Sequence, residues 1–211
     1  MNNPQFEPAE FDQWAARYDA EAQSEAGFPF DGYARVLETI ARLAAVKDGD
    51  TVLDLGAGTG MLSALLAEQG ARLWCLDFSE AMLEIARRRL PSAAFAVADI
   101  RGDWPPEFQR RFDAVVSAYT FHHFPLAEKV ALIERIRRDA LLPGGRLVIG
   151  DIAFADAAAQ DAARLQAGDE WEQEYYWLAG ETLPALAAKG IRARFVPVSA
   201  VAGVFDIESR D

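Results

Sequence analysis

A doubly wound α/β fold, with a mostly parallel sheet covered by helices on both faces, is predicted by three features of this sequence. Apolar strand-like runs and amphipathic helical runs alternate between Thr51 and Asp151, which is the signature of βαβ units. The first of these strands runs straight into Gly56-Ala57-Gly58-Thr59-Gly60 and then a helical pattern, the strand–loop–helix layout of a nucleotide site in such a sheet. Two strand-like runs near the end are separated only by Ser199-Ala200. That gap is too short for a parallel crossover, so they form an antiparallel hairpin at the sheet edge.

The elements follow in order. An opening helix is expected from about Ala9 to Gln23, with Phe11, Trp14 and Tyr18 on one face. "GFPFDG" breaks it, and a second helix carries Tyr33, Val36, Leu37, Ile40 and Leu43 as its apolar stripe. After "KDGD" come the strand "TVLDL", a helix from Thr59 to Gln69, the strand "RLWCLD" and a helix from Ser79 to Arg89. "AFAVAD" and "FDAVVSA" read as further strands, followed by a helix from Leu126 to Ala140. The strand "GRLVIGD" emerges from the Pro143-Gly144-Gly145 turn. A helical segment around Asp156 to Gln166 leads into the aromatic cluster "WEQEYYWLAG". A helix from Glu181 to Lys189 is stopped by Gly190, and "IRARFVPV" and "VAGVFDIE" make the hairpin.

Composition narrows the function classes. With 211 residues, 51% of them hydrophobic, the chain suits one domain with a sizeable core. No stretch is long and apolar enough to span a bilayer, and Met1-Asn2-Asn3-Pro4 does not read as a signal peptide. The single cysteine, Cys75, allows no internal disulfide and sits in a buried-strand pattern, so the expected location is the reducing cytoplasm. The net charge of −12 is unevenly spread: residues 51–150 are neutral, while residues 1–50 and 151–211 carry −6 each. Acidic flanks repel a phosphate backbone, which argues against nucleic acid as a partner. The basic runs Arg87-Arg88-Arg89 and Arg137-Arg138 fall late in helical patterns, where a solvated face near a helix C-terminus accounts for them.

The glycine spacing narrows the ligand. A dinucleotide site carries G-x-G-x-x-G, and here the place of the third glycine is held by Met61, leaving G-x-G-x-G. Asp77 ends the second strand, where an acid can accept from both hydroxyls of a ribose. The cap of the next helix falls to Ser79. Asp99 ends the third strand and is either a turn residue or a second ligand contact.

Taken together these residues resemble the class I S-adenosylmethionine-dependent methyltransferases. "VLDLGAGTG", "LDFSEAM", "VADI", "FDAVVSAYTFHHF" and "LLPGGRLVI" are similar to that family's successive motifs from about Thr51 to Asp151. The flanks "FDQWAARYD" and "AGVFDIE" resemble a group of small bacterial members. The resemblance implies a Rossmann-like, seven-stranded sheet with its last strand antiparallel. It also implies one domain over 1–211: a helical cap to residue 48, a cofactor-binding core over 49–155, and a cap segment with the hairpin over 156–211. S-adenosylmethionine is then the cofactor. Gly56, Ala57 and Gly58 would approach its methionine half, Asp77 its ribose, Phe78 its adenine, and Asp99 with the Ile100 backbone its adenine amino edge. Ser117 and Ala118 would offer carbonyls to the ammonium, Tyr18 would reach the cofactor from the N-terminal helix, and Asp54 would brace the loop or meet the ammonium.

The expected function is therefore methylation of a small molecule, and the alternative is a non-catalytic S-adenosylmethionine-binding sensor or subunit. A nicotinamide oxidoreductase is disfavoured by Met61 and by the motif series. Methyl transfer requires an aligned nucleophile and a dry site, with a base if the acceptor carries a proton. His122, beside His123 after the fourth strand, is the candidate base, against a packing or capping role. Two adjacent histidines without nearby acids or cysteines make a poor metal site, so no metal is expected. The acceptor pocket is expected between the N-terminal helix and residues 169–180, with Trp14 and Tyr18 closing over the cofactor. Trp171, Tyr175, Tyr176 and Trp177 either wall it or pack in the core. Because both flanks are acidic, the acceptor is expected to be neutral or cationic.

Overall fold

Asp54 lies inside β1 (Thr51–Leu55), a strand buried at every position between two parallel neighbours. The computed structural model describes residues 8–24 and 27–209, so Met1-Asn2-Asn3-Pro4 lies outside the described residues. On one side of β1 are β2 (Arg72–Asp77) and β3 (Ala94–Val97); on the other are β4 (Phe112–Ala118) and β5 (Leu141–Phe154). The hairpin strands β7 (Ala193–Pro197) and β8 (Ala202–Glu208) complete the order β3-β2-β1-β4-β5-β8-β7. β8 inserts between β5 and β7 and is antiparallel to both. The seven-strand path is the expected one. An eighth strand, the two-residue β6 (Trp177–Leu178), pairs parallel with the end of β5 through Ala153 and Phe154.

Alternation along each strand divides the core in two, because successive side chains point to opposite faces. Val52, Val116 and Val148 pack on the face covered by Val36 and Ile40 of α2 (Tyr33–Ala44) and Leu66 of α3 (Met61–Glu68). Leu53, Val115 and Leu147 pack on the other face, with Ile133 of α5 (Leu126–Arg135) and Leu186 of α7 (Ala179–Ala187). The remaining helices are α1 (Pro8–Ser24), α4 (Glu80–Arg89) and α6 (Ala157–Ala167).

Boundaries differ from the expected ones where a side chain or turn intervenes. α3 starts at Met61, because Thr59 and Gly60 still belong to the glycine turn. The helix expected to reach Ala140 changes to a π-helical turn at Ile136. Ser79 caps α4 by accepting the Met82 N–H at 3.2 Å, as its position suggested. Arg89 is not on a solvated face: it pairs with Asp19 of α1 at 2.5 Å. Strand order reverses between β1 and β4, since β2 lies to one side and β5 to the other. Ligands of open α/β sheets bind beyond the carboxyl ends of the strands at that point.

Candidate functional site

The turn from β1 into α3 holds Gly56, Gly58 and Gly60 in the left-handed region, at φ +71°, +53° and +82°. A Cβ on Gly56 would fall 2.1 Å from the Thr120 Oγ1, and one on Gly60 would press on Ala86 and Leu90 at 3.2 Å. Those two glycines are explained by their neighbours. Gly58 is not, because a Cβ there would meet nothing within 4 Å. Its bare backbone faces a cavity of about 610 Å³. The loop is fixed by N–H bonds from Gly56 and Ala57 to the Leu76 carbonyl at 2.8 and 3.1 Å.

Asp77 closes the arrangement. Its carboxylate accepts the Gly58 and Ser79 N–H groups, each at 2.8 Å, and it lines the same cavity. Burial raises its pKa, and the N–H bonds from Ser79, Gly58 and Phe78 oppose the rise. Each carboxylate oxygen keeps a further lone pair, enough for two ribose hydroxyls. α1 covers the site and is tied down by polar links. Thr59 Oγ1 donates to Asp19 at 2.5 Å, and Ser79 Oγ donates to Asp12 at 2.6 Å. From α1 the wall receives Phe11, Trp14, Tyr18 and Glu21. Trp14 and Tyr18 meet edge to face at 4.8 Å. Burial first, then Tyr33 and Tyr119, push the Tyr18 phenol well above its ordinary pKa, so it stays a neutral donor.

Tyr18, Gly56, Gly58, Asp77, Phe78 and His122 are thus brought to one cavity. Ala118 lines it too, whereas Ala57, Asp99, Ile100 and Ser117 stand off its wall. Ala57 is buried, and Ser117 Oγ donates to the Leu55 carbonyl at 2.6 Å. Asp99 lies two residues beyond β3 and is half exposed, with Oδ2 at 2.6 Å from Arg101 Nη2. Burial raises its pKa but the Arg101 bonds outweigh it, leaving the group lowered. Ile100 is buried, and its carbonyl accepts from Trp104 Nε1 at 3.1 Å.

Residues 170–176 form the opposite wall with Glu170, Glu172, Glu174 and Tyr176. Tyr175 is exposed; Trp171 stacks on Phe28 at 4.9 Å, behind the wall; Trp177 is buried in the core. Phe28, Phe30 and Tyr119 complete an aromatic lining that sequence patterning did not single out. Tyr119 holds φ +52°, a conformation that costs a residue with a Cβ about 1–2 kcal/mol and turns the chain from β4 into the cavity. His123 lies beside His122, its ring 4.0 Å away, and 3.6 Å from Glu174. Burial and then the neighbouring imidazole drive its pKa down to about 4, so it is neutral at pH 7.

Two buried acids interrupt apolar strands. Asp151 in β5 is fully buried and bonded to His122 Nδ1 at 2.6 Å; the sequence placed it only as the end of a motif. Asp54 Oδ2 accepts from Ser63 Oγ in α3 at 2.7 Å, and Oδ1 has no hydrogen-bond partner among the described residues. Asp54 is not on the cavity wall, and its bond to Ser63 joins β1 to α3. Burial pushes its pKa to about 7, with Ser63 opposing and Asp77 adding to the rise. Because the folded value lies above the unfolded one, this group's contribution is largest near pH 4 and is lost as pH rises to 7. Urea unfolding of the wild type and Asp54→Asn at pH 4.5 and 7.5 is expected to differ by about 3 kcal/mol between the two pH values. Parallel pH profiles would show that Asp54 is ionised throughout.

A family model described as a methyltransferase domain matches residues 52–145. An uncharacterized methyltransferase of Geobacillus kaustophilus is 32% identical over 215 residues, covering 93% of this chain and 94% of its own. The uncharacterized methyltransferase YrrT of Bacillus subtilis is 32% identical, covering 88% of this chain and 89% of its own. Among solved structures, the DhpI–SAM–HEP complex aligns with a TM-score of 0.73 at 24% identity, over 95% of this chain and 94% of that one. A Haloferax volcanii methyltransferase in complex with the Trm112 activator aligns with a TM-score of 0.73 at 20% identity, over 97% of each chain. The fold likeness agrees with the parallel centre of the sheet and its inserted antiparallel strand. The chain belongs to the S-adenosylmethionine-dependent methyltransferases.

Proposed function

We propose that this methyltransferase acts on a small acceptor that is neutral or positively charged. The observation that carries the proposal is the cavity wall away from the glycine turn. Aromatic rings and the carboxylates of Glu21, Glu170, Glu172 and Glu174 make it up, with no Lys or Arg among the described residues lining it. Ring faces and carboxylates attract a cation and tolerate a neutral molecule, whereas a dianion would be repelled in a partly desolvated space. At about 610 Å³ the cavity suits a cofactor and a compact partner.

S-adenosylmethionine supplies a methyl group on a cationic sulfonium, and its thioether leaves neutral, so no acid is needed. The chain's own residues hold and orient. In this reading Gly58 lets the backbone meet the methionine half, Asp77 accepts from the ribose, Phe78 lies on the adenine, and Tyr18 and Trp14 close over the site. The ties of α1 through Asp12 and Asp19 keep water out.

Two measurements test the reading. Asp77→Ala is expected to weaken S-adenosylhomocysteine binding by about 1.5–3 kcal/mol in calorimetry, through lost hydrogen bonds to a charged group. Unchanged affinity would take Asp77 out of the site. For the acceptor, competition among matched neutral, cationic and dianionic analogues should favour the first two, most strongly at low salt. Preference for the dianion would overturn the charge argument.

A further inference from the structure

We propose that His122 is the general base that takes the acceptor's proton, that Asp151 positions it, and that the acceptor is a protic nucleophile: a thiol, a phenol or an amine bearing hydrogen. This rests on the small-acceptor reading above and deepens it.

The geometry begins with Asp151. Its Oδ2 accepts the His122 backbone N–H at 2.8 Å and the Trp177 indole N–H at 2.9 Å. Its Oδ1 accepts the Ile152 N–H at 2.9 Å and lies 2.6 Å from His122 Nδ1. An ionised carboxylate only accepts, so Nδ1 must carry a hydrogen, and in a neutral imidazole the proton-free nitrogen is then Nε2. His122 lines the cavity, and Nε2 makes no hydrogen bond among the described residues.

Asp151 remains a carboxylate despite its burial. Desolvation raises its pKa, but His122, Lys129 and Trp177 outweigh it and the group is lowered. Lys129, itself buried, donates to the Tyr175 carbonyl and sits 4.4 Å from the centre of the Trp177 ring. A purely structural tie explains only part of this. The three donors of the His122 backbone, Ile152 and Trp177 already anchor the turn, whereas the imidazole adds a fourth bond and presents a basic nitrogen to the cavity. The two histidines have different partners: His122 Nδ1 faces the buried Asp151, whereas His123 Nδ1 lies 3.6 Å from Glu174.

The step balances. A lone pair on the acceptor's N, O or S forms the bond to the methyl carbon as the carbon–sulfur bond breaks, with that bond's electrons staying on sulfur. The proton leaving the acceptor atom passes to His122 Nε2, and the imidazolium faces Asp151 until solvent takes the proton. A tertiary amine or a thioether has no such proton and would gain nothing from this machinery.

The test begins with the wild-type tautomer. The protein has two histidines, so nitrogen-15 spectra of the wild type with S-adenosylhomocysteine, assigned with His123→Gln, read the His122 tautomer directly. The expected result is a proton on Nδ1 and none on Nε2, with Asp151→Asn shifting the population toward Nε2–H. A panel of phenols and thiophenols of graded acidity then reports S-adenosylhomocysteine formation. His122→Gln should keep its affinity for S-adenosylhomocysteine and lower kcat about 100-fold for weakly acidic phenols with little change in KM. The loss should shrink for thiophenols that are ionised before they bind. A wild-type Nε2–H tautomer would overturn the proposal, as would a His122→Gln kcat within threefold of wild type on every phenol or an equal loss across the panel. Preference for a dianionic acceptor would instead strike the charge reading and leave this result standing.

Discussion

Gly58→Val is expected to lower affinity for S-adenosylhomocysteine by at least about 100-fold, or roughly 2.7 kcal/mol, while the protein stays folded. The Gly58 backbone lies at φ +53° on the cavity wall, with no atom within 4 Å of where a Cβ would stand. The new Cβ therefore has room, and the valine side chain extends toward the space where ligand would touch the backbone. The left-handed φ adds a folding cost of about 1–3 kcal/mol for a β-branched residue. Thermal unfolding and calorimetry separate the two effects: Tm falls by several degrees, and binding is lost well below the new Tm. Gly58→Ala should lie between wild type and valine in both. Normal binding by a folded valine variant would mean that this part of the turn does not meet the cofactor.

Trp177→Ala is expected to destabilise the protein by about 4–5 kcal/mol, the upper range for deleting a buried aromatic side chain. Trp177 is 1% exposed and packs against Phe205, with ring centres 4.7 Å apart, and against Phe121 at 5.9 Å. The substitution leaves a cavity, removes one donor from Asp151 and uncovers the buried Lys129 ammonium. Trp177→Phe keeps most of the packing and loses the indole bond, so it should cost about 1–2 kcal/mol. Urea unfolding at pH 7 measures both. Because Trp177 is not on the cavity wall, the phenylalanine variant should bind S-adenosylhomocysteine as the wild type does. If alanine proves as stable as wild type, Trp177 is not the core residue described here.

Much of the wall around the glycine turn was legible because it is local. The run from Val52 to Gly60 encodes a buried strand, a turn that needs left-handed backbone and a helix start, all within one short segment. Asp77 follows from the same logic one unit later. Asp99 shows where local reading stops. The strand ends at Val97, and Arg101, two residues after the acid, closes on it. No periodicity foretells that pairing, because it depends on how one turn folds its own side chains.

The opposite wall depended on distant partners. "WEQEYYW" reads as an aromatic cluster without a period, so sequence alone leaves Trp171, Tyr175, Tyr176 and Trp177 equivalent. Pairing of Trp177 with Ala153 sets the faces of Tyr176 and Trp177, since a one-residue slip would exchange wall and core. Tyr176 then reaches the cavity and Trp177 the core.

The sequence by itself determined the strand alternation, the glycine turn, the acid ending the second strand and the acidic excess of the two flanks, because each is a property of neighbouring residues or of a sum. Only the tertiary structure decided that Glu21 and Glu170, far apart along the chain, face one cavity, and that Asp151 stands behind His122 with Nδ1 and Oδ1 2.6 Å apart. Those placements come from β4 and β5 lying side by side and from α1 folding over their ends. Such long-range packing leaves no mark in the spacing of residues.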